Sequence, residues 1–203
     1  RTCEGNYLFL DIHHIVADGT SLGIILNDIN RAYSGEKLEV EEYTSYDLAL
    51  DNRDALASDA YKNAENYYKS VFENAGGSIN FYPDKSGAAP TAEMYHRETS
   101  EFSVQDVKAF CKKHGITENV FFISAFGITL GKYNFRKDAV FTTIYHGRND
   151  SRLSDTVGML VKTLPVYCDF SGSTADCLNA VQQQLINSMN NDIYPFSQIS
   201  HEF

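Results

Sequence analysis

A chain of 203 residues, 43% hydrophobic and 13% aromatic, has enough apolar surface to bury a sizeable core, which makes it globular rather than disordered. Its 17 basic against 27 acidic residues give a formal charge of -10, and that excludes a phosphate-backbone partner, since no basic field would attract nucleic acid. Cys3, Cys111, Cys168 and Cys177 form no Cys-x-x-Cys pair, so neither a zinc knuckle nor a disulfide framework is suggested and a reducing cytoplasm fits them. No apolar run reaches the roughly 18 residues of a membrane helix, and the first residues lack a signal-peptide pattern. A soluble protein is expected, and the start at Arg1, without Met and close to the first apolar run, reads as a piece of something longer.

Residues 7–12, YLFLDI, hold one charge among large apolar side chains and predict a nearly buried strand ending at His13 and His14. Past Asp18-Gly19, the residues Leu22, Ile25, Leu26, Ile29 and Tyr33 recur at helical spacing. They predict a helix from Ser21 to Tyr33, with Thr20 or Ser21 as its cap and Gly35 as its stop. Residues 36–53 are acidic and show no clear period. A second helical pattern runs through Leu56, Ala60, Ala64, Tyr67, Tyr68, Val71 and Phe72 and ends at Gly76-Gly77. The stretch 76–90, GGSINFYPDKSGAAP, gathers chain breakers and is the predicted connection between regions 1–75 and 91–203.

Beyond it, TSEF at 99–102 reads as a strand tail. Ser103 opens a helix with the Ser-x-x-Asp form of a capping box, which stops at Gly115 and has Val104, Val107, Phe110 and Cys111 as its apolar face. A further helix is predicted over 117–133. AVFTTIY (139–145) and LPVYCDF (164–170) read as strands, with the polar loop GRNDSRLSD (147–155) between them. A last helix follows Thr174 through Leu178, Val181, Leu185 and Met189 and fades before YPFSQI at 194–199. Mixed strands and helices make the chain α/β or α+β.

The sharpest local signal is His13-His14 followed by Asp18-Gly19, a pattern that arises by chance in roughly one chain of this length in a few thousand. An imidazole titrates near neutrality, so it can take a proton from an amine or hydroxyl and return it. The helix that opens at Asp18-Gly19 offers backbone N–H groups suited to an oxyanion, and Gly19 lets a substrate approach the main chain. Side chains alternate along a strand, so only one of the two histidines can look into a given cavity while the other packs. A metal site is not expected, because adjacent strand histidines diverge and no third ligand stands at a recognisable spacing.

Three later segments extend the pattern in order: YHGRND at 145–150, VGMLVKTLPV at 157–166 and YPFSQI at 194–199. With HHIVADG at 13–19, they resemble the double-histidine motif, the Gly-Arg segment, the Val/Ile-Gly-x-x-Val-x-Thr-Leu-Pro motif and the terminal Pro-Phe segment of one family. That family is the condensation domains of nonribosomal peptide synthetases, in the chloramphenicol-acetyltransferase-like superfamily. The resemblance implies a two-lobed chloramphenicol-acetyltransferase-like fold. Its second lobe (91–203) would be nearly complete and its first (1–75) truncated, because in the family a sizeable part of the first lobe precedes the double histidine.

The resemblance further implies that His14 serves the attack of an acceptor amine on a donor thioester, as general base or by positioning the amine and stabilising the tetrahedral intermediate. Both substrates would ride on the 4'-phosphopantetheine of donor and acceptor peptidyl carrier domains, next to an adenylation domain. No cofactor or metal would be bound by the chain itself, and neither membrane nor nucleic acid would be a partner. His13 and Gly19 would be structural members of the motif, and Asp18 would pair with Arg148, although by itself a loop arginine near Asp150 and Arg152 reads as a solvated charge. Lys162 stands where the family commonly has Asn. Two alternatives stay open: an epimerisation domain, which usually carries Glu after the Gly-Arg segment and an aromatic-rich sequence in place of VGMLVKTLP, so that Asn149 and Leu160 favour condensation, and a domain that only docks carriers. The 203 residues alone are expected to condense nothing.

Overall fold

A computed structural model describes residues 5–73, 75–77, 79–81, 94–96 and 98–202. They gather into two compact units, Arg1–Lys62 with Ile144–Lys162, and Asn63–Thr143 with Thr163–Phe203. The segment 144–162 therefore belongs spatially with the first unit although the sequence groups it with the later region. Residues 78 and 82–90 of the predicted connection lie outside the described residues.

The first unit holds α1 (Gly19–Tyr33), α2 (Ser45–Ala55), the start of α3 (Asp59–Phe72) and a 3-10 turn at Ser151–Leu153. Helix α1 starts two residues earlier than predicted because its cap is Asp18, not Thr20 or Ser21. Asp18 is extended (φ -104°, ψ -177°) and its side chain accepts the Ser21 N–H. Helix α2 was hidden in the acidic stretch: none of its residues is buried, so it has no apolar face to betray it, only the Thr44/Asp47 capping box. Leu56 closes α2, and α3 begins at Asp59. The predicted strand over YLFLDI is not formed. Residues 6–13 are irregular and Phe9 is 87% exposed, because a strand needs a neighbour to pair its N–H and C=O groups and these residues have none in either described strand.

In the second unit, α4 (Val104–His114), α5 (Glu118–Tyr133) and α6 (Thr174–Asn190) pack with the two-stranded sheet of β1 (Asp138–Tyr145) and β2 (Lys162–Asp169). The Phe170 N–H donates to Lys137 O at 2.9 Å, joining the end of one strand to the start of the other, so the pair is antiparallel. Capping boxes at Ser103/Asp106 and Ser173/Asp176 start α4 and α6, and Gly115 at φ +64° ends α4, as its sequence predicts. Val107, Val120, Ile123, Val166, Val181 and Leu185 fill the core, each worth about 1.5–3 kcal/mol when fully buried. Helix α5 lies close on the sheet: a Cβ on Gly127 would come within 2.8 Å of Cys168 Cβ. Cys168 and Cys177, nine residues apart, meet as free thiols at 3.4 Å.

TSEF forms no strand; it is irregular and leaves Phe102 exposed. YPFSQI does more than end the chain: Tyr194 is buried and stacks on Tyr68 at 6.2 Å, and α7 (Phe196–Glu202) follows. Among the described residues no helix is long and apolar enough to cross a membrane.

Candidate active site

The double-histidine segment lies in the first unit and ends in a turn over residues 14–16. His13 closes that turn twice. Its carbonyl accepts the Val16 N–H at 3.1 Å, and its ring Nδ1 accepts the Ile15 N–H at 3.1 Å, which leaves the ring proton on Nε2. His14 is exposed and makes no hydrogen bond to another described residue, so both its ring nitrogens are open to an incoming group. Because residues 13–16 turn, the alternation of strand side chains does not separate the two rings here.

Four residues on, Asp18 is 3% exposed and anchors the turn to the start of α1. Oδ1 accepts the Ser21 N–H and the Ser21 hydroxyl, both at 2.8 Å, and Oδ2 accepts the Leu160 N–H at 3.1 Å. Arg148 Nη2, 130 positions away in sequence, donates to Oδ1 at 3.0 Å and Oδ2 at 3.3 Å. Burial alone would raise the Asp18 carboxyl. The hydrogen bonds from Ser21 backbone and side chain, Leu160 and Arg148 outweigh it and hold the pKa at about 2, against an ordinary 3.8.

Arg148 is no solvated surface charge. Its side chain is 6% exposed, and Nη1 donates at 2.7 Å to the carbonyls of Leu153 and Thr156. The buried pair thus joins the helix start to the 148–160 loop.

Gly19, the first residue of α1, is exposed, its φ is not positive, and a Cβ there would meet nothing within 4 Å. The fold of the described residues does not demand glycine at that position, and the N–H groups of Gly19 and Thr20 have no partner among them. Gly147 is the opposite case: φ is +70° and a Cβ would fall on the Leu160 carbonyl oxygen. Gly158 is cramped less severely, since a Cβ there would lie 2.8 Å from Ser45 Cβ. Lys162 opens β2, half-buried.

Sequence reasoning takes Gly147 and Gly158 only as members of their motifs, Leu160 only as a mark against epimerisation and Ser21 only as a cap, with no contact assigned to any of them. Gly147 leaves a trace in sequence because its positive φ favours glycine, whereas Leu160 and Gly158 act through their main chain. Among the described residues no three His, Cys, Asp or Glu side chains are grouped to hold a metal ion.

This mixed α/β arrangement is a condensation-domain fold. The first condensation domain of the calcium-dependent antibiotic synthetase, solved with a substrate analogue, superposes with a TM-score of 0.74 over 94% of this chain and 44% of that one, at 17% identity. The X-domain from teicoplanin biosynthesis, solved in complex with OxyB, gives 0.72 over 94% and 45%, also at 17%. The chain belongs to the condensation-domain family, whose sequence model matches residues 1–203. Bacitracin synthase 2 of Bacillus licheniformis is 28% identical over 199 residues, which are 95% of this chain and 8% of that protein. The chain thus spans a small part of that synthase and less than half of either solved chain.

Proposed function

We propose that this chain carries the motif-bearing part of an acyltransferase that forms amide bonds in nonribosomal peptide synthesis. The observation behind this reading is an exposed His14 ring with no partner among the described residues, on a turn fastened through the buried Asp18–Arg148 pair. The amine of an acceptor aminoacyl thioester attacks the carbonyl carbon of a donor thioester. An N–C bond forms, the C–S bond breaks, the donor arm leaves as a thiol, and the proton released by nitrogen passes through His14. His14 acts as base or holds the amine in line. The open N–H groups of Gly19 and Thr20 are the candidate partners of the transient oxyanion.

Donor and acceptor substrates arrive on the 4'-phosphopantetheine arms of peptidyl carrier domains, with an adenylation domain in the same synthetase. Residues 1–75 would be the later part of a first lobe and 91–203 the second. The setting is the cytoplasm, in keeping with the free thiols of Cys111, Cys168 and Cys177.

A second reading, carrier or partner docking without chemistry, draws on the X-domain solved with OxyB, which has the same fold. The full-length protein, given loaded donor and acceptor carriers, separates these readings. A new amide that disappears in His14→Ala supports condensation, inverted stereochemistry without an amide means epimerisation, and no product means docking.

A further inference from the structure

Ser21 is fully enclosed, 0% exposed, at the third position of α1. Its hydroxyl oxygen accepts the Gly158 N–H at 3.0 Å and an Arg148 Nη2 proton at 3.1 Å. It also lies 2.8 Å from both Asp18 Oδ1 and Gly158 O. A hydroxyl has two acceptor sites and one proton, so both acceptor sites are filled and the proton must choose between two oxygens. The charged Asp18 Oδ1 is the stronger acceptor. Gly158 O loses nothing by that choice, since the Asp18 N–H already reaches it at 3.2 Å. The N–H and C=O of Gly158 are therefore gripped from one side by the helix start, and its missing Cβ lets Ser45 close the other.

We propose that Ser21 is a positioning residue: through its hydroxyl it seats the 13–16 turn, and with it His14, against the 157–160 segment. The segment 18–21 that follows the turn is held to Gly158 by two contacts, the Asp18 N–H on its carbonyl and the Ser21 hydroxyl on its N–H, and the second depends on this hydroxyl. Alanine at this place would leave the Gly158 N–H and one Arg148 N–H without an acceptor in a spot closed to water. Asp18 and Arg148 could still pair, so the helix would persist while the turn lost its register. For turnover, the proposal rests on the condensation reading. For geometry, it does not.

The test compares Ser21→Ala and Ser21→Thr in the full-length protein by hydrogen exchange and by amide formation between loaded carriers. Ser21→Ala should speed exchange of the Asp18 and Leu160 amides at least tenfold, with residues 25–29 of α1 unchanged. It should also lower kcat at least tenfold with KM for the acceptor thioester within twofold of wild type. Ser21→Thr, which keeps the hydroxyl, should bring both within threefold of wild type. Three results overturn the proposal: exchange at Asp18 and Leu160 within twofold of wild type, protection lost along all of α1, or faster exchange with kcat unchanged. An inactive wild-type protein sinks the condensation reading instead, and the exchange measurements still decide whether the hydroxyl seats the turn.

Discussion

Asp18→Asn replaces one atom and removes the charge at the centre of the site. An amide offers one oxygen, so it can keep either the Ser21 side or the Leu160 side, and its NH2 then confronts a donor on the other. Arg148 meanwhile loses its counter-charge but keeps the carbonyls of Leu153 and Thr156 and the Ser21 hydroxyl. Breaking one side of a buried pair costs about 3–5 kcal/mol, and three surviving acceptors place this case near ~3 kcal/mol. A carboxyl held at about 2 rather than 3.8 is favoured in its charged form, through these same contacts, by about 2.5 kcal/mol. A cost of ~3 kcal/mol corresponds to ~150-fold in a local opening equilibrium. Hydrogen exchange of the full-length protein reads this directly: the Ser21 and Leu160 amides should exchange about a hundredfold faster in the variant, with α5 in the other unit unaffected. A change below threefold, or an equal change in α5, would refute the reasoning.

The carboxyl is lower in the folded protein than in the unfolded chain, so its contribution is whole above 3.8 and fades as pH falls through about 2. Acid titration of exchange at Leu160 should show that limb in wild type and lose it in Asp18→Asn. Gly147→Ala should loosen the same amides, because a left-handed φ costs a side chain about 1–2 kcal/mol and the new Cβ lands on the Leu160 carbonyl; an unchanged melting temperature counts against this. His14→Ala should leave exchange protection as it is and cut amide formation at least a hundredfold, whereas His13→Ala should cost about 1 kcal/mol, seen as faster exchange at Ile15, whose ring acceptor is lost, while Val16 keeps the residue-13 carbonyl. The 203 residues expressed alone should give no amide above the uncatalysed level, as they match 44% of a solved condensation-domain chain; turnover like that of the full-length protein would overturn this.

Helices α4 and α6 were legible because their signals are local, an apolar stripe behind a Ser cap and, for α4, a glycine stop, while α5 is apolar on most sides and shows a Thr117 cap and helical length instead. Helix α2 was not, since a helix with no buried residue carries no stripe. YLFLDI misled for a related reason: apolar density records what a segment wants to bury, while a strand depends on a partner that the segment itself does not encode. The site divides in the same way. Asp18 and Arg148 came from the order of four motifs, because no local pattern links residues 130 positions apart. The share held by Gly158 and Leu160 is written in backbone atoms, which every residue type has, so nothing in their side chains announced it.

That reliance on main-chain atoms bears on how such a protein can diversify. Arg148 grips the carbonyls of Leu153 and Thr156, and Asp18 takes the N–H groups of Ser21 and Leu160. The clasp holds peptide groups, and since the side chains of these four residues are buried, freedom to vary falls on the exposed residues between them. Met159, exposed between two clasped residues, can therefore drift to another side chain while the loop beneath it stays put. Variation would be cheap at such positions and prohibitive at Asp18, Arg148 and Gly147, so the outward face of the loop can change without rebuilding the ground on which His14 stands.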